Sequence, residues 1–221
     1  MKATLTHIIR ETKEISSYRL KPEVEVRYTA GQWMDIRLTD LLKHHYTLSS
    51  SPTETWLQFT TKFRPESEFK QVLWSKQVGD DVEIKGPFGS FVLDEADTRP
   101  KIFIAGGIGI TPFRSMIKYM ADQQLDLPTT LLYSVKNRGE GAFTDELLSL
   151  TARIPSLKIE IIETENQGRL NAEKLTRSCP DWKTSTLWLC GPPGLVEAFM
   201  DMAIKMGFAP EAIKSEEFTG Y

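Results

Sequence analysis

Residues 101–112 run Lys-Ile-Phe-Ile-Ala-Gly-Gly-Ile-Gly-Ile-Thr-Pro. The apolar run 101–105 has the length and composition of a strand buried on both faces. It stops at Gly106 and Gly107, and Gly109 follows two residues later. Thr111 is a good N-cap and Pro112 suits a first helical position, so a helix is expected over 112–123. A strand that turns through glycines into a helix N-terminus brings backbone N–H groups to one point, with the helix dipole favouring an anion there. Gly106, Gly107, Gly109, Ile110, Thr111 and Pro112 are therefore candidates for cradling a pyrophosphate. The spacing departs from G-x-G-x-x-G, because Pro112 stands where the third glycine would be.

Downstream, further short apolar runs occur at 130–134, 158–162 and 186–190, with candidate helices over 144–152, 172–177 and 195–206. Strands alternating with helices argue for a parallel sheet with crossovers. In the last helix Leu195, Phe199, Met202 and Met206 share one face, the pattern of core packing, and Gly207 is placed to cap it. Cys190-Gly191-Pro192-Pro193-Gly194 lets the chain leave the carboxyl edge of that sheet sharply, the edge where open α/β sheets bind ligands. A buried cysteine is more often inert packing than chemistry. At this edge the Cys190 thiol is nevertheless placed to touch a bound ring.

Upstream the rhythm changes. Gln32-Trp-Met-Asp-Ile-Arg-Leu38 alternates, with Met34, Ile36 and Leu38 on one face and Asp35 and Arg37 on the other. Similar runs at 3–9, 16–20, 46–49, 56–61 and 82–85, separated by Gly and Pro turns, suggest a small antiparallel barrel or sandwich. One helix interrupts them, with Phe69, Val72 and Leu73 on a face and Ser67 as N-cap. The polar stretch Leu93-Asp-Glu-Ala-Asp-Thr-Arg-Pro100 reads as a linker. Two domains follow, expected at 1–97 (β) and 98–221 (α/β). Within the first, His44-His-Tyr-Thr-Leu-Ser-Ser-Ser-Pro52 offers an aromatic face at Tyr46 and hydroxyls at Thr47, Ser49 and Ser50. Composition alone would make it a Ser/Thr-rich edge strand.

Composition excludes several classes. Lys and Arg number 27 against 30 Asp and Glu, a net charge of −3 with no basic block, which argues against nucleic acid. No apolar stretch approaches the length of a membrane span, and the start lacks a signal-peptide apolar region, so the expectation is a cytoplasmic chain. Cys179 and Cys190 are too few for an iron–sulfur cluster, which takes four thiolates. His7, His44 and His45 show no zinc spacing, so no metal is expected.

In order, Tyr-Thr-Leu-Ser-Ser (46–50), Gly-Pro-Phe-Gly (86–89), Gly-Gly-Ile-Gly-Ile-Thr-Pro (106–112), Cys-Gly-Pro-Pro-Gly (190–194) and Glu-Glu-Phe (216–218) resemble the ferredoxin–NADP⁺ reductase superfamily over essentially the whole chain. The ending resembles a compact branch without a fused ferredoxin domain. The resemblance implies a flavin-binding β barrel followed by a parallel-sheet nicotinamide-dinucleotide domain. It also implies hydride passage from NAD(P)H to flavin, and onward electron transfer to a separate acceptor such as ferredoxin, an oxygenase component or another redox protein.

The same resemblance assigns residues. Tyr46 would pack on the flavin, with Leu48 and Ser49 in the same segment, and Thr47 would bond it near N5. His44 stands where the family has an arginine on the flavin diphosphate, with Thr61, Lys62 and Ser67 at the second phosphate contact. FAD comes first and FMN second. Gly107–Thr111 would take the dinucleotide, while Cys190, Gly191, Pro192, Glu217 and Phe218 would lie by the nicotinamide. By charge alone Glu216-Glu217 reads as a solvated tail. Tyr221 would shield the flavin. For the choice of nicotinamide, Glu165 would repel a 2′-phosphate, while Thr164, Lys136 and Arg138 would approach one. The balance leans to NADH. His44 also keeps open a flavin- or nucleotide-binding sensor or assembly subunit without turnover.

Overall fold

The computed structural model describes residues 1–218. Tyr221 lies outside the described residues. The first half forms six strands: β1 (Lys2–Arg10), β2 (Ile15–Pro22), β3 (Trp33–Arg37), β4 (Lys43–Thr47), β5 (Leu57–Lys62) and β6 (Asp81–Phe88). Their order is β4-β3-β6-β1-β2-β5, with antiparallel pairing throughout. A bridge from Leu48 to Phe59 joins the two outer strands, so the sheet curls into a barrel. Helix α1 (Glu68–Ser75) lies between β5 and β6, capped by Ser67, whose hydroxyl accepts from the Lys70 N–H. Phe69 and Leu73 from α1 pack with Met34, Ile36, Tyr46 and Phe59 in the barrel core.

The second half contains β7 (Lys101–Gly106), α2 (Ile110–Asp122), β8 (Thr129–Val135), α3 (Thr144–Leu150), β9 (Leu157–Glu163), α4 (Thr164–Gln167), α5 (Ala172–Ser178), β10 (Thr186–Gly191), α6 (Pro193–Met206) and β11 (Ile213–Glu217). All pairs in its sheet are parallel, in the order β11-β10-β7-β8-β9. Both faces are covered, so successive residues serve opposite cores. Phe103 and Trp188 face the cluster under α2 and α3, while Ile102, Leu187 and Leu189 face the cluster under α6. Gly207, in the left-handed region at φ 91°, caps α6 as expected.

Three local expectations change. A 3-10 turn, Gly107–Gly109, starts the helical path early, so α2 begins at Ile110. Thr111 is not its N-cap, and Pro112 is its third residue. Proline is tolerated there because the first four helical N–H groups lack intrahelical partners anyway. Strand β4 covers 43–47 rather than 46–49, so Leu48 and Ser49 lie beyond it. Strand β11 was not expected at all.

Candidate functional site

From β7 the chain steps to β8 and β9 on one side, then returns to β10 and β11 on the other. The crevice at such a reversal, outside the carboxyl ends of the strands, is where open α/β sheets take ligands. Here β7 leads into Gly107–Gly109 and β10 into Gly191-Pro192, and the two turns pack together. A Cβ on Gly109 would stand 2.2 Å from the Cys190 carbonyl oxygen. Gly107 differs: its φ is +52°, and nothing lies within 4 Å of where its Cβ would be. Bare backbone facing open space before a helix N-terminus is what a pyrophosphate requires. The Thr111 hydroxyl donates to the Ile108 carbonyl at 3.2 Å and ties the turn down.

Between the barrel rim and this edge lies a cavity of about 180 Å³. Trp33, His45, Tyr46, Thr47, Thr60 and Thr61 line it from the barrel, and Ile108, Thr111, Glu216, Glu217 and Phe218 from the other side. Tyr46 is held by stacking on Phe59, with ring centroids 4.9 Å apart. Across the cavity the Thr47 hydroxyl donates to Glu216 Oε2 at 3.1 Å. Burial pushes the Glu216 carboxyl up to about 7, with the Thr47 hydrogen bond pulling the other way. A hydroxyl thus touches a carboxyl that exchanges its proton near neutral pH.

The expected residues divide. Tyr46, Thr47, Thr61, Thr111, Glu217 and Phe218 do line the cavity. Glu216, not Glu217, is the acidic partner: β11 pairs Glu216 with Cys190 and leaves Glu217 exposed beside Gly191. Cys190 is fully buried in the core cluster with Trp188 and Phe103 rather than on the cavity wall. Burial first, then Glu216, holds its thiol protonated. Gly191 and Pro192 shape the neighbouring turn, where Gly191 backs onto Gly106. Leu48 closes the barrel, and the Ser49 hydroxyl is spent on Thr60 and the Gln58 carbonyl. Lys62 is drawn off by Glu14 at 2.8 Å, with Glu140 at 3.8 Å.

His44 also falls off the cavity wall. Its strand register puts its ring edge-on against Phe69 of α1 at 4.6 Å. Burial, then Lys70, pushes its pKa down. Lys70 is itself buried and lowered to about 8, by burial and then by Arg64. His44, Arg64 and Lys70 thus gather at the amino end of α1, whose N-cap is Ser67. Lys136 and Glu165 lie beyond β8 and β9, paired at 3.2 Å. Reading the sequence misses Trp33, His45, Thr60 and Lys70. Of these, Trp33 and His45 were accessible from strand alternation with Thr47, since β3 pairs Trp33 with Thr47.

A cavity with aromatic and aliphatic walls, several hydroxyls and one protonatable carboxyl fits a flat, largely apolar ring with polar edge atoms. The open glycine turn beside it fits a dinucleotide pyrophosphate. The residues present therefore suit a flavin and a nicotinamide dinucleotide.

Comparison with known proteins agrees. The oxidoreductase FAD-binding domain family matches residues 2–93, and the oxidoreductase NAD-binding domain family matches residues 103–201. The chain is 25% identical over 225 residues to a Ralstonia sp protein, the ferredoxin–NAD(P)(+) reductase component of naphthalene 1,2-dioxygenase/salicylate 5-hydroxylase systems. That match spans 99% of this chain and 69% of the relative. The flavohem-like FAD/NAD binding domain of nitric oxide dioxygenase from Vibrio cholerae O1 biovar El Tor superposes with a TM-score of 0.87 at 22% identity, over 98% of both chains. A ferredoxin NADP+ reductase from Neisseria gonorrhoeae with bound FAD and NADP superposes with a TM-score of 0.86 at 17% identity, again over 98% of both. At these identities the two structures speak for the fold. The chain spans 46% to 69% of the length of curated relatives such as these reductase components and a flavohemoprotein.

Proposed function

Because the chain belongs to the ferredoxin–NADP⁺ reductase superfamily, with an FAD-binding and an NAD-binding half, we propose that it takes hydride from NADH or NADPH onto bound FAD and hands electrons to a separate redox acceptor. The observation that carries this reading is the Thr47–Glu216 contact, which joins the barrel rim to the sheet edge beside the open Gly107 turn.

Bound flavin supplies the hydride acceptance and the one-electron steps. The chain's own residues supply placement and a group to take up the proton released when electrons leave. Gly107–Thr111 hold the dinucleotide's pyrophosphate at the start of α2. Tyr46, fixed on Phe59, gives one apolar wall, and Ile108 and Phe218 keep water from the other side. Thr47 presents its hydroxyl to the ring edge while remaining bonded to Glu216. The Glu216 carboxyl is poised to give or take a proton through that hydroxyl near neutral pH. His44 and Lys70 at the head of α1 would hold the FAD diphosphate.

NADH fits better than NADPH, because Glu165, beyond the carboxyl end of β9, would repel a 2′-phosphate reaching that edge. Its pair with Lys136 is half-exposed and only partly offsets that charge. The acceptor is a one-electron redox protein separate from this chain.

Purified protein should be yellow, carry FAD, and bleach anaerobically on addition of NADH. A chain that takes up neither FAD nor FMN at micromolar concentration would overturn this reading.

A further inference from the structure

Helix α2 carries the glycine turn at its start, and one turn later Arg114 reaches back to the barrel. The Arg114 side chain is 4% exposed. Its Nη1 donates to the Ser49 carbonyl at 2.8 Å and to Glu54 Oε2 at 2.6 Å. Nη2 donates to Glu54 Oε1 at 3.1 Å and Glu146 Oε1 at 2.6 Å, and Nε donates to Glu146 Oε2 at 3.1 Å. All five N–H donors of the guanidinium are thereby used. Next to it, the Ser115 hydroxyl donates to the Ser50 carbonyl at 2.5 Å. Farther along the helix, Asp122 accepts from the Thr53 hydroxyl at 2.6 Å.

The segment held this way begins two residues after Thr47. One helix therefore carries the glycine turn at its tip and grips, by main-chain carbonyls, the segment that directly follows the strand presenting Thr47. Stability is a weak reason for building such a contact. Buried ion pairs cost desolvation on each charge, and apolar replacements of the same shape often do as well. A planar fork bonded in five directions adds a fixed distance and orientation, which an apolar patch does not give.

We propose that Arg114 is a positioning residue: it sets the spacing between the Gly107–Thr111 turn and Thr47, and so the approach of nicotinamide to flavin. This rests on the reductase reading above. Arg114 does not line the cavity and acts only through Ser49 and α2.

Two variants test it. Arg114→Lys keeps the charge and loses the planar fork. Arg114→Met combined with Glu54→Gln removes the inner pair without stranding the Glu54 carboxylate, and Glu146, 34% exposed, can be solvated. Flavin-loaded protein is mixed anaerobically with NADH. The readouts are the FAD dissociation constant, the long-wavelength charge-transfer absorbance of the stacked rings, and the limiting rate of flavin reduction.

Both variants should hold FAD within about threefold of wild type. They should show a weaker charge-transfer band and a limiting rate lower by about ten- to a hundredfold, the penalty of an ångström-scale misplacement. A lower melting temperature with band and limiting rate unchanged would mean a purely structural role and overturn the proposal. Loss of FAD from Arg114→Lys would overturn it too, since Arg114 would then hold the flavin strand rather than align it. Wild-type protein that binds FAD but is bleached by neither nicotinamide removes the reductase reading itself, a result visible without any variant.

Discussion

The two walls of the cavity are made of different material. The barrel wall works through side chains: a stacked tyrosine, threonine hydroxyls and a neighbouring tryptophan, all on strand positions whose backbone is committed to the ladder. The opposite side sets Ile108, Glu216 and Phe218 in front of two glycine turns of bare backbone, packed so closely that Gly109 has no room for a Cβ. A side-chain wall can change its chemistry one group at a time. A backbone wall changes in shape or not at all, so substitutions there should register in folding or ligand entry before they register in the chemical step.

The largest effect should come from within the backbone wall. Gly109 has φ −63°, so its glycine is required by contact with Cys190 and not by torsion. Gly109→Val should cost about 3 kcal/mol or more, because the overlap is with main chain that cannot rotate away. Gly107→Ala should cost only the about 1–2 kcal/mol of a left-handed residue. It should instead raise the KM for the nicotinamide while leaving FAD bound. Thermal melts and cofactor titrations of the pair check this. Equal melting temperatures for the two variants would show that contact with Cys190 does not hold Gly109 to glycine.

Where the opposite wall reaches a side chain of the barrel, at the Glu216–Thr47 contact, the expected effect is chemical. Glu216→Gln should slow reoxidation of the reduced protein by a one-electron acceptor, the half of turnover that releases a proton, by about a hundredfold, the scale of a lost proton-transfer group, while Glu217→Gln stays near wild type. The titration also predicts a stability signature. The Glu216 pKa is raised in the folded chain, so ionising it opposes folding: the penalty grows as pH rises from the unfolded value and is complete above about 7. Glu216→Gln should therefore raise the melting temperature more at pH 8 than at pH 5. A gain that is the same at both values, or larger in acid, would contradict the assignment.

A smaller effect is expected outside both walls. Glu165→Arg removes one negative charge and adds a phosphate-matching fork. It should move the ratio of kcat/KM toward NADPH by about tenfold, within the range of a charge-assisted hydrogen bond. An unchanged ratio would place Glu165 away from the ribose.

These contrasts also explain what could be read from sequence. The turn at 101–112 is legible because apolar runs, glycines and a helix start are all local signals. Strand β11 is not, since Ile-Lys-Ser-Glu-Glu has one apolar residue in five. It becomes a strand because β10 offers an unfilled edge, and Lys214 settles 4.0 Å over the Trp188 ring. Without that strand the register along 213–217 is not legible, and so neither is which of the two carboxylates reaches Thr47. The Lys62 ion pair is hidden for a related reason: Glu14 is distant in sequence and adjacent only once β2 pairs with β5.

The smallest effect concerns His44, where the barrel meets α1. Burial, then Lys70 and His45, lowers its pKa in the free protein, so it is largely neutral at pH 7. An FAD diphosphate at the head of α1 favours the imidazolium and raises the pKa on binding. FAD affinity should then increase as pH falls through the bound-state pKa and level off below the free-protein one. That window lies lower than for an exposed histidine. Lys70, lowered to about 8, answers for any loss of affinity on the alkaline side. On this reading His44 and Lys70 share the diphosphate, and the share of His44 at neutral pH is small. His44→Arg should tighten FAD binding at pH 8.5 by about tenfold or less, the lower end for a charged hydrogen bond, and flatten the acid limb. Titrating apoprotein with FAD near pH 5.5 and pH 8.5, for wild type and His44→Arg, reads both. Four equal affinities would leave the diphosphate to Lys70 and return His44 to its packing role against Phe69.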